Sequence, residues 1–247
     1  MFDAGVAEPE KHVVYVITSL AMGGAQNVLL QLLQGRPAGY QPLCVVSLRR
    51  EPGIEEKVRA LGVDVLHLEL NKPWRLFFHL FRLGSYLRGH KVDLLFSIMP
   101  HANLLGVLLK LFSGGRWCLI WSLHNTPHPG LYPRWDHRFL LWLSYKAVRV
   151  FPEKVIVVSK RSRDSYVALG YPPDKLLLIQ NGVAIPETSV AHRQSCRQQV
   201  RQALGLEQQA VLIGSLTRYV PAKNIPLMLE AFRLLLNHDQ SRESTPL

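Results

Sequence analysis

The chain has 247 residues, 48% of them apolar, and a formal charge of +11. That content is ample for one large domain or up to two ordinary ones, and the surplus of cations calls for a negatively charged partner: phosphate, nucleic acid or anionic lipid. The three cysteines, Cys44, Cys118 and Cys196, lie far apart without any CxxC pair, so neither a disulfide framework nor a zinc site is indicated.

Residues 1–11 contain acids and Pro9 rather than a basic stretch followed by an apolar run, so no signal peptide is expected. The apolar run 102–112 is interrupted by Asn103 and Lys110 and is too short to span a bilayer. The expected location is the cytoplasm.

Residues 12–18, HVVYVIT, form a near-continuous β-branched run of the kind found in a strand buried on both faces. A turn carrying Gly23-Gly24 leads into a helix over 25–33. Paired glycines let backbone approach a ligand closely at a helix N-terminus, although this is not the GxGxxG dinucleotide fingerprint. Further strands are expected at 42–48, 63–68, 93–97, 118–123, 154–158 and 175–179, and helices at 54–61, 74–87, 103–112, 134–150 and 161–169. Such alternation implies parallel βαβ units, so residues 1–182 are expected to form an α/β, Rossmann-like, doubly wound parallel sheet.

Residues 183–209 turn polar and rich in Gln and Arg, and read as an interdomain linker with a short helix. A new strand is expected from Ala210, followed by a helix with apolar positions from Ile225 to Leu236, so that residues 210–247 read as the first βα unit of a second, truncated Rossmann-like domain. Residues 237–247 carry no pattern and are expected to fray. Arg218 sits where that strand ends and Lys223 just before the helix begins. Open α/β sheets bind ligands outside the carboxyl ends of their strands, and a fork-shaped cation with a point-charge cation there suits the two phosphates of a diphosphate. The plain alternative is an ordinary connection with two solvated charges.

Two predicted helices are aromatic and basic. Residues 72–88 carry Trp74, Phe77, Phe78 and Phe81 among Arg75, Arg82 and Arg88, and residues 134–149 carry Trp135, Phe139 and Trp142 among Arg138, Lys146 and Arg149. Basic residues with Trp and Phe suit a helix lying against anionic lipid, while a buried amphipathic helix with a solvated basic edge is the ordinary alternative.

Four stretches together resemble the GT-B glycosyltransferases, specifically the retaining group called family 4. Met22-Gly23-Gly24-Ala25-Gln26 is similar to that family's GGAE loop. Val157-Val158-Ser159-Lys160, Leu169-Gly170-Tyr171-Pro172-Pro173-Asp174-Lys175 and Ile179-Gln180-Asn181-Gly182-Val183 resemble the passage that closes its first domain. Residues 214–224 are similar to its "GRL.p.KG/KN" loop, and Leu229-Glu230-Ala231-Phe232 to the helix behind it. Gln26 replaces the usual Glu, Ala184 the usual Asp, and Thr217 stands where many members have another small or polar residue. No counterpart of the family's distal Glu-x7-Glu segment follows Glu230.

The resemblance implies transfer of a sugar from a nucleotide-sugar donor to an acceptor with retention of configuration, without an obligate metal or other cofactor. Gly23, Gly24, Arg218 and Lys223 match positions that hold the donor diphosphate. His124 matches a catalytic histidine facing the donor sugar, and an imidazole there can donate a hydrogen bond as negative charge develops. His101 is an acceptor-side candidate, with a surface or structural hydrogen bonder as its alternative. UDP is the default nucleotide, and the acceptor is read as a lipid-linked or envelope glycan, with peripheral contact to anionic membrane. The competing class is a catalytically inactive remnant acting as a binding or membrane-surface module. Nucleic-acid binding rests on charge alone, since no HTH, RRM or zinc module is present. Asn181-Gly182 reads as a tight turn that needs positive φ.

Overall fold

A computed structural model of the chain describes residues 10–69, 73–127, 135–183, 185, 189–217 and 219–243. Its contacts divide the chain into two units, residues 1–184 and 185–247.

The first unit is built on a seven-stranded parallel sheet in the order β3-β2-β1-β4-β5-β6-β7. The strands are β1 (Lys11–Ile17), β2 (Tyr40–Ser47), β3 (Asp64–His67), β4 (Leu94–Ile98), β5 (Cys118–Leu123), β6 (Lys154–Val157) and β7 (Leu176–Leu178). Helices α1 (Gly24–Gln34), α2 (Glu55–Ala60), α3 (Pro73–Gly89), α4 (Pro100–Ser113), α5 (Trp135–Val148) and α6 (Lys160–Ala168) connect them. This is the alternation expected from the sequence.

Side chains leave each strand on alternate faces, so the central strands feed two separate cores. Val14, Val16, Cys44, Val46 and Leu95 pack against Leu80, Leu83 and Leu87 of α3, most of α4, and Tyr166 of α6. Ile17, Val45, Val65 and Ile98 pack instead with Leu29 and Leu33 of α1 and Val58 of α2. The β-branched run of β1 is therefore apolar throughout because both of its faces are covered. Helix α4 is apolar for the same reason: Ala102, Leu104, Leu105, Val107 and Leu109 are all buried. Among the described residues no helix is long and apolar enough to cross a membrane.

The second unit contains α7 (Val190–Ala203) and α8 (Ile225–Glu243), with a 3-10 turn at Pro221–Lys223. Ser189 caps α7 by accepting the His192 N–H at 3.1 Å. Two expectations fail here. Residues 211–217 are not a strand, and Val211, Ile213 and Leu216 are solvent-exposed. A strand is completed only by a neighbour that takes its backbone hydrogen bonds, and among the described residues the second unit has no other strand to supply one. Residues 237–243 do not fray but extend α8 to Glu243. Loss of the apolar stripe removed the packing signal without removing the ability to be helical, since Pro246 is the first helix breaker.

Candidate active site

In a parallel sheet every loop that follows a strand opens at the same edge. The strand order reverses between β1 and β4, whose following helices α1 and α4 pack on opposite faces, which leaves a crevice at their carboxyl ends. Gly23 and Gly24 follow β1, His101 follows β4 and His124 follows β5, so the fold brings all four to this edge.

Gly23 is the N-cap of α1, with extended backbone, no side-chain cap and no acid in the first turn. The first-turn N–H groups therefore have no intrahelical partner, and the positive end of the helix is not neutralised by the helix itself. A Cβ placed on Gly24 would meet nothing within 4 Å, so the fold does not require glycine there. The loop is instead held through its neighbours. Gln26 donates its Nε2 to the Ser19 carbonyl at 2.8 Å, and the Ser19 hydroxyl donates to the Glu51 carboxylate while accepting the Ala21 N–H at 3.0 Å. Ala21 bridges Gly53, and the Ile54 N–H donates to the Leu20 carbonyl at 2.9 Å. A Cβ on Gly53 would lie 2.0 Å from the Leu20 oxygen, so only glycine permits this clasp between the β1–α1 and β2–α2 loops. Glu51 and Gly53 carry no motif, and nothing in the sequence marked them.

His124 lies just past β5, half-buried, with Nε2 3.0 Å from the Ser122 hydroxyl. Its Nδ1 is buried and has no hydrogen-bond partner among the described residues, and burial pushes its pKa below the usual histidine value. The imidazole is therefore neutral near neutral pH. When Ser122 donates to Nε2, Nδ1 carries the proton and is a donor in want of an acceptor. The next residue fixes the loop: Asn125 accepts from Ser162 Oγ through its carbonyl and from Tyr166 OH through Oδ1, both at 3.0 Å. Ser122 and His124 line a cavity of about 260 Å3 with Val28, Phe96, Asn181 and Gly182. Neither Asn181 nor Gly182 has positive φ, so the expected tight turn is absent. β7 ends at Leu178, and the pair follows it as chain without regular secondary structure.

His101 does not share that cavity. It is exposed in the first turn of α4 and lines a larger one, of about 710 Å3, with Thr18, Arg49, Arg50, Glu51 and Glu69. In the second unit Lys223 is exposed, ends the 3-10 turn and precedes Asn224, whose φ is +45°. Arg218 and Ala184 lie outside the described residues. Among the described residues no three His, Cys, Asp or Glu side chains gather where they could hold a metal ion.

The two aromatic helices divide their faces. Helix α3 buries Leu80, Leu83 and Leu87 but leaves Phe77 and Phe81 each 68% exposed, and α5 leaves Phe139 and Trp142 each 53% exposed. Phe112 at the end of α4 meets Phe77 edge-on, with ring centroids 6.3 Å apart. Lys146 lies 6.0 Å from the Trp142 ring. The side chains of Lys72, Trp74, Arg75, Arg134 and Trp135 lie outside the described residues.

The sequence model of the family described as Glycosyltransferase Family 4 matches residues 22–185. No curated protein matches the chain. Among solved structures, Anabaena Alr3699/HepE in complex with UDP-glucose aligns with a TM-score of 0.72 and 18% identity, over 90% of this chain and 57% of its own. A glycosyltransferase from Rickettsia africae ESF-5 aligns with a TM-score of 0.56 and 10% identity, over 85% of this chain and 54% of its own. The apo form of the lipopolysaccharide outer core galactosyltransferase WaaB gives 0.55 and 13%, over 71% of this chain and 47% of its own. At these identities the likeness is one of fold, and the chain spans about half the length of the structures it matches.

Proposed function

The chain belongs to Glycosyltransferase Family 4, and from that membership we propose that it serves retaining transfer of a sugar from a nucleotide-sugar, by default a UDP-sugar, to a lipid-linked or envelope glycan. The observation that carries the reading is the meeting of an uncapped α1 N-terminus and a neutral, half-buried His124 at one edge of the sheet. Backbone N–H groups at Gly24 and Ala25 attract a diphosphate, and Arg218 and Lys223 match, by family likeness, the cations that hold the donor diphosphate. His124, held through Nε2 by Ser122, offers its Nδ1 proton to a sugar hydroxyl or the leaving phosphate as charge develops. In this reading no metal or other cofactor takes part, because charge on the diphosphate is met by these groups. That Anabaena Alr3699/HepE was solved with UDP-glucose supports the choice of UDP.

The exposed aromatic rings of α3, α4 and α5 among basic residues support peripheral contact with the cytoplasmic face of an anionic membrane, where a lipid-linked acceptor would be presented. A second reading, a binding module that turns nothing over, is favoured by one observation: residues 211–217 join no sheet.

Calorimetric titration of the 247-residue chain with UDP and GDP tests the proposal. UDP is expected to bind, with affinity reduced by Lys223→Ala. Absence of binding by either nucleotide at millimolar concentration would leave the binding-module reading in its place.

A further inference from the structure

We propose that the cavity at the carboxyl ends of β2 and β3 is the acceptor subsite of this chain and that it selects an acceptor carrying a phosphate group. The inference rests on the transferase reading, which names an acceptor but not its chemistry. At about 710 Å3 the cavity holds a phosphorylated sugar with room to spare.

Its wall presents two guanidinium groups whose partners hold them loosely. Arg49 meets Glu51 at 3.8 Å and Arg50 meets Glu69 at 3.4 Å, each through Nη1. Both separations exceed the 2.7–2.9 Å of a strong charge-assisted hydrogen bond. Among the described residues no hydrogen bond engages the Nε and Nη2 donors of either arginine, and the two side chains are 63% and 71% exposed. Glu51 is at the same time tied to the Ser19 hydroxyl, which draws its carboxylate toward the β1–α1 loop rather than toward Arg49. A guanidinium fork matches the geometry of a phosphate, and two side by side can take a phosphate without first dismantling a tight ion pair.

The start of α4 also borders the cavity, through His101. Its N-cap, Met99, makes no side-chain cap, and its first turn contains Pro100 and no acid, so the N-terminal charge of the helix is not neutralised locally. His101 of that turn lines the cavity, as does Thr18 just past β1, whose buried hydroxyl has no hydrogen-bond partner among the described residues. Two loosely held cations and the first turn of α4 thus border one cavity, next to the loop read as the donor diphosphate site.

The test is calorimetric titration of the full 247-residue chain, saturated with UDP, using three probes: glucose 1-phosphate, glucuronic acid and methyl glucoside. Glucose 1-phosphate is expected to bind in the presence of UDP and about tenfold or more tighter than methyl glucoside, with affinity falling as salt rises. Arg49→Ala with Arg50→Ala is expected to weaken it by about tenfold or more, and the double Lys variant by less, since charge survives but the fork does not. Both arginines are exposed, so the variants are expected to fold, and an unchanged thermal midpoint verifies it. Equal binding of methyl glucoside, no binding of glucose 1-phosphate, or full affinity in the double Ala variant overturns the proposal. Competition between UDP and glucose 1-phosphate overturns it too, by placing the phosphate at the donor side, and equal binding of glucuronic acid replaces phosphate by anionic groups in general. If UDP itself does not bind, the transferase reading fails while the arginine dependence of glucose 1-phosphate binding still decides whether this is a phosphate site.

Discussion

Replacing Gly24 by alanine is expected to separate ligand binding from folding, because the structure gives two glycines of the same clasp opposite reasons for being glycine. A Cβ at Gly24 meets nothing within 4 Å, and the residue is the first of α1, so the change is expected to leave stability unaltered or raise it by a few tenths of a kcal/mol. If donor phosphate lies against this backbone, the added methyl takes the place of ligand atoms. Overpacking by one methyl costs about 1–3 kcal/mol, or roughly fivefold to 150-fold in affinity for UDP. Gly53 is the contrast. Its Cβ would stand 2.0 Å from the Leu20 oxygen and 2.8 Å from the Ala21 Cα, both backbone atoms, where ordinary contact begins at 3.4 Å. The loops must separate by more than an ångström, losing the Ile54 N–H to Leu20 bond and the Ala21 bridge. About 1 kcal/mol for each lost hydrogen bond and 1–3 for the strain puts Gly53→Ala at about 3–5 kcal/mol. Urea unfolding and UDP calorimetry on the two variants read both quantities. Undiminished UDP affinity in Gly24→Ala would refute the assignment of this backbone to the diphosphate, and parental stability in Gly53→Ala would refute the clasp.

Because burial depresses the folded-state pKa of His124 below 6.5, the unfolded chain takes up that proton first as pH falls. The contribution is thus complete above pH 6.5 and is lost below it, with a slope of at most about 1.4 kcal/mol per pH unit. His124→Gln should flatten the urea-derived stability across this window, and an unchanged slope would mean that the imidazole is not responsible. Lys175 donates through Nζ to the carbonyls of Val148, Arg149 and Pro152 at 3.1, 3.0 and 2.9 Å, closing the end of α5. Lys175→Met should cost about 2–3 kcal/mol in urea unfolding, since it strips a charged donor from three carbonyls at once, and a loss under about 0.5 would show that water substitutes. Phe77→Ser with Phe81→Ser removes two exposed rings, so stability should hold within about 0.5 kcal/mol while co-sedimentation with phosphatidylglycerol vesicles falls. Unaltered sedimentation would end the membrane reading of α3.

What the residues alone determined was everything set by local period. The β-branched run of residues 12–18 and the amphipathic stretches between strands fixed an alternating βα chain, and with it a parallel sheet whose loops open at one edge, so Gly23, Gly24, His101 and His124 were bound to share that edge. Family likeness was legible for a similar reason, since its motifs are short and contiguous. Residues 211–217 mark where that reasoning stops: their apolar pattern is that of a strand, but a strand exists only when a neighbour accepts its hydrogen bonds. The folded chain alone decided which loops meet. Ser19 reaches Glu51 across 32 positions, Gly53 closes on Leu20, and Arg49, Arg50 and Glu69 surround one cavity with His101. It also assigned His101 and His124 to different cavities. Period and propensity act over one or two turns of chain, whereas these contacts depend on the strand order 3-2-1-4, which is chosen by the packing of two cores against opposite faces of the sheet.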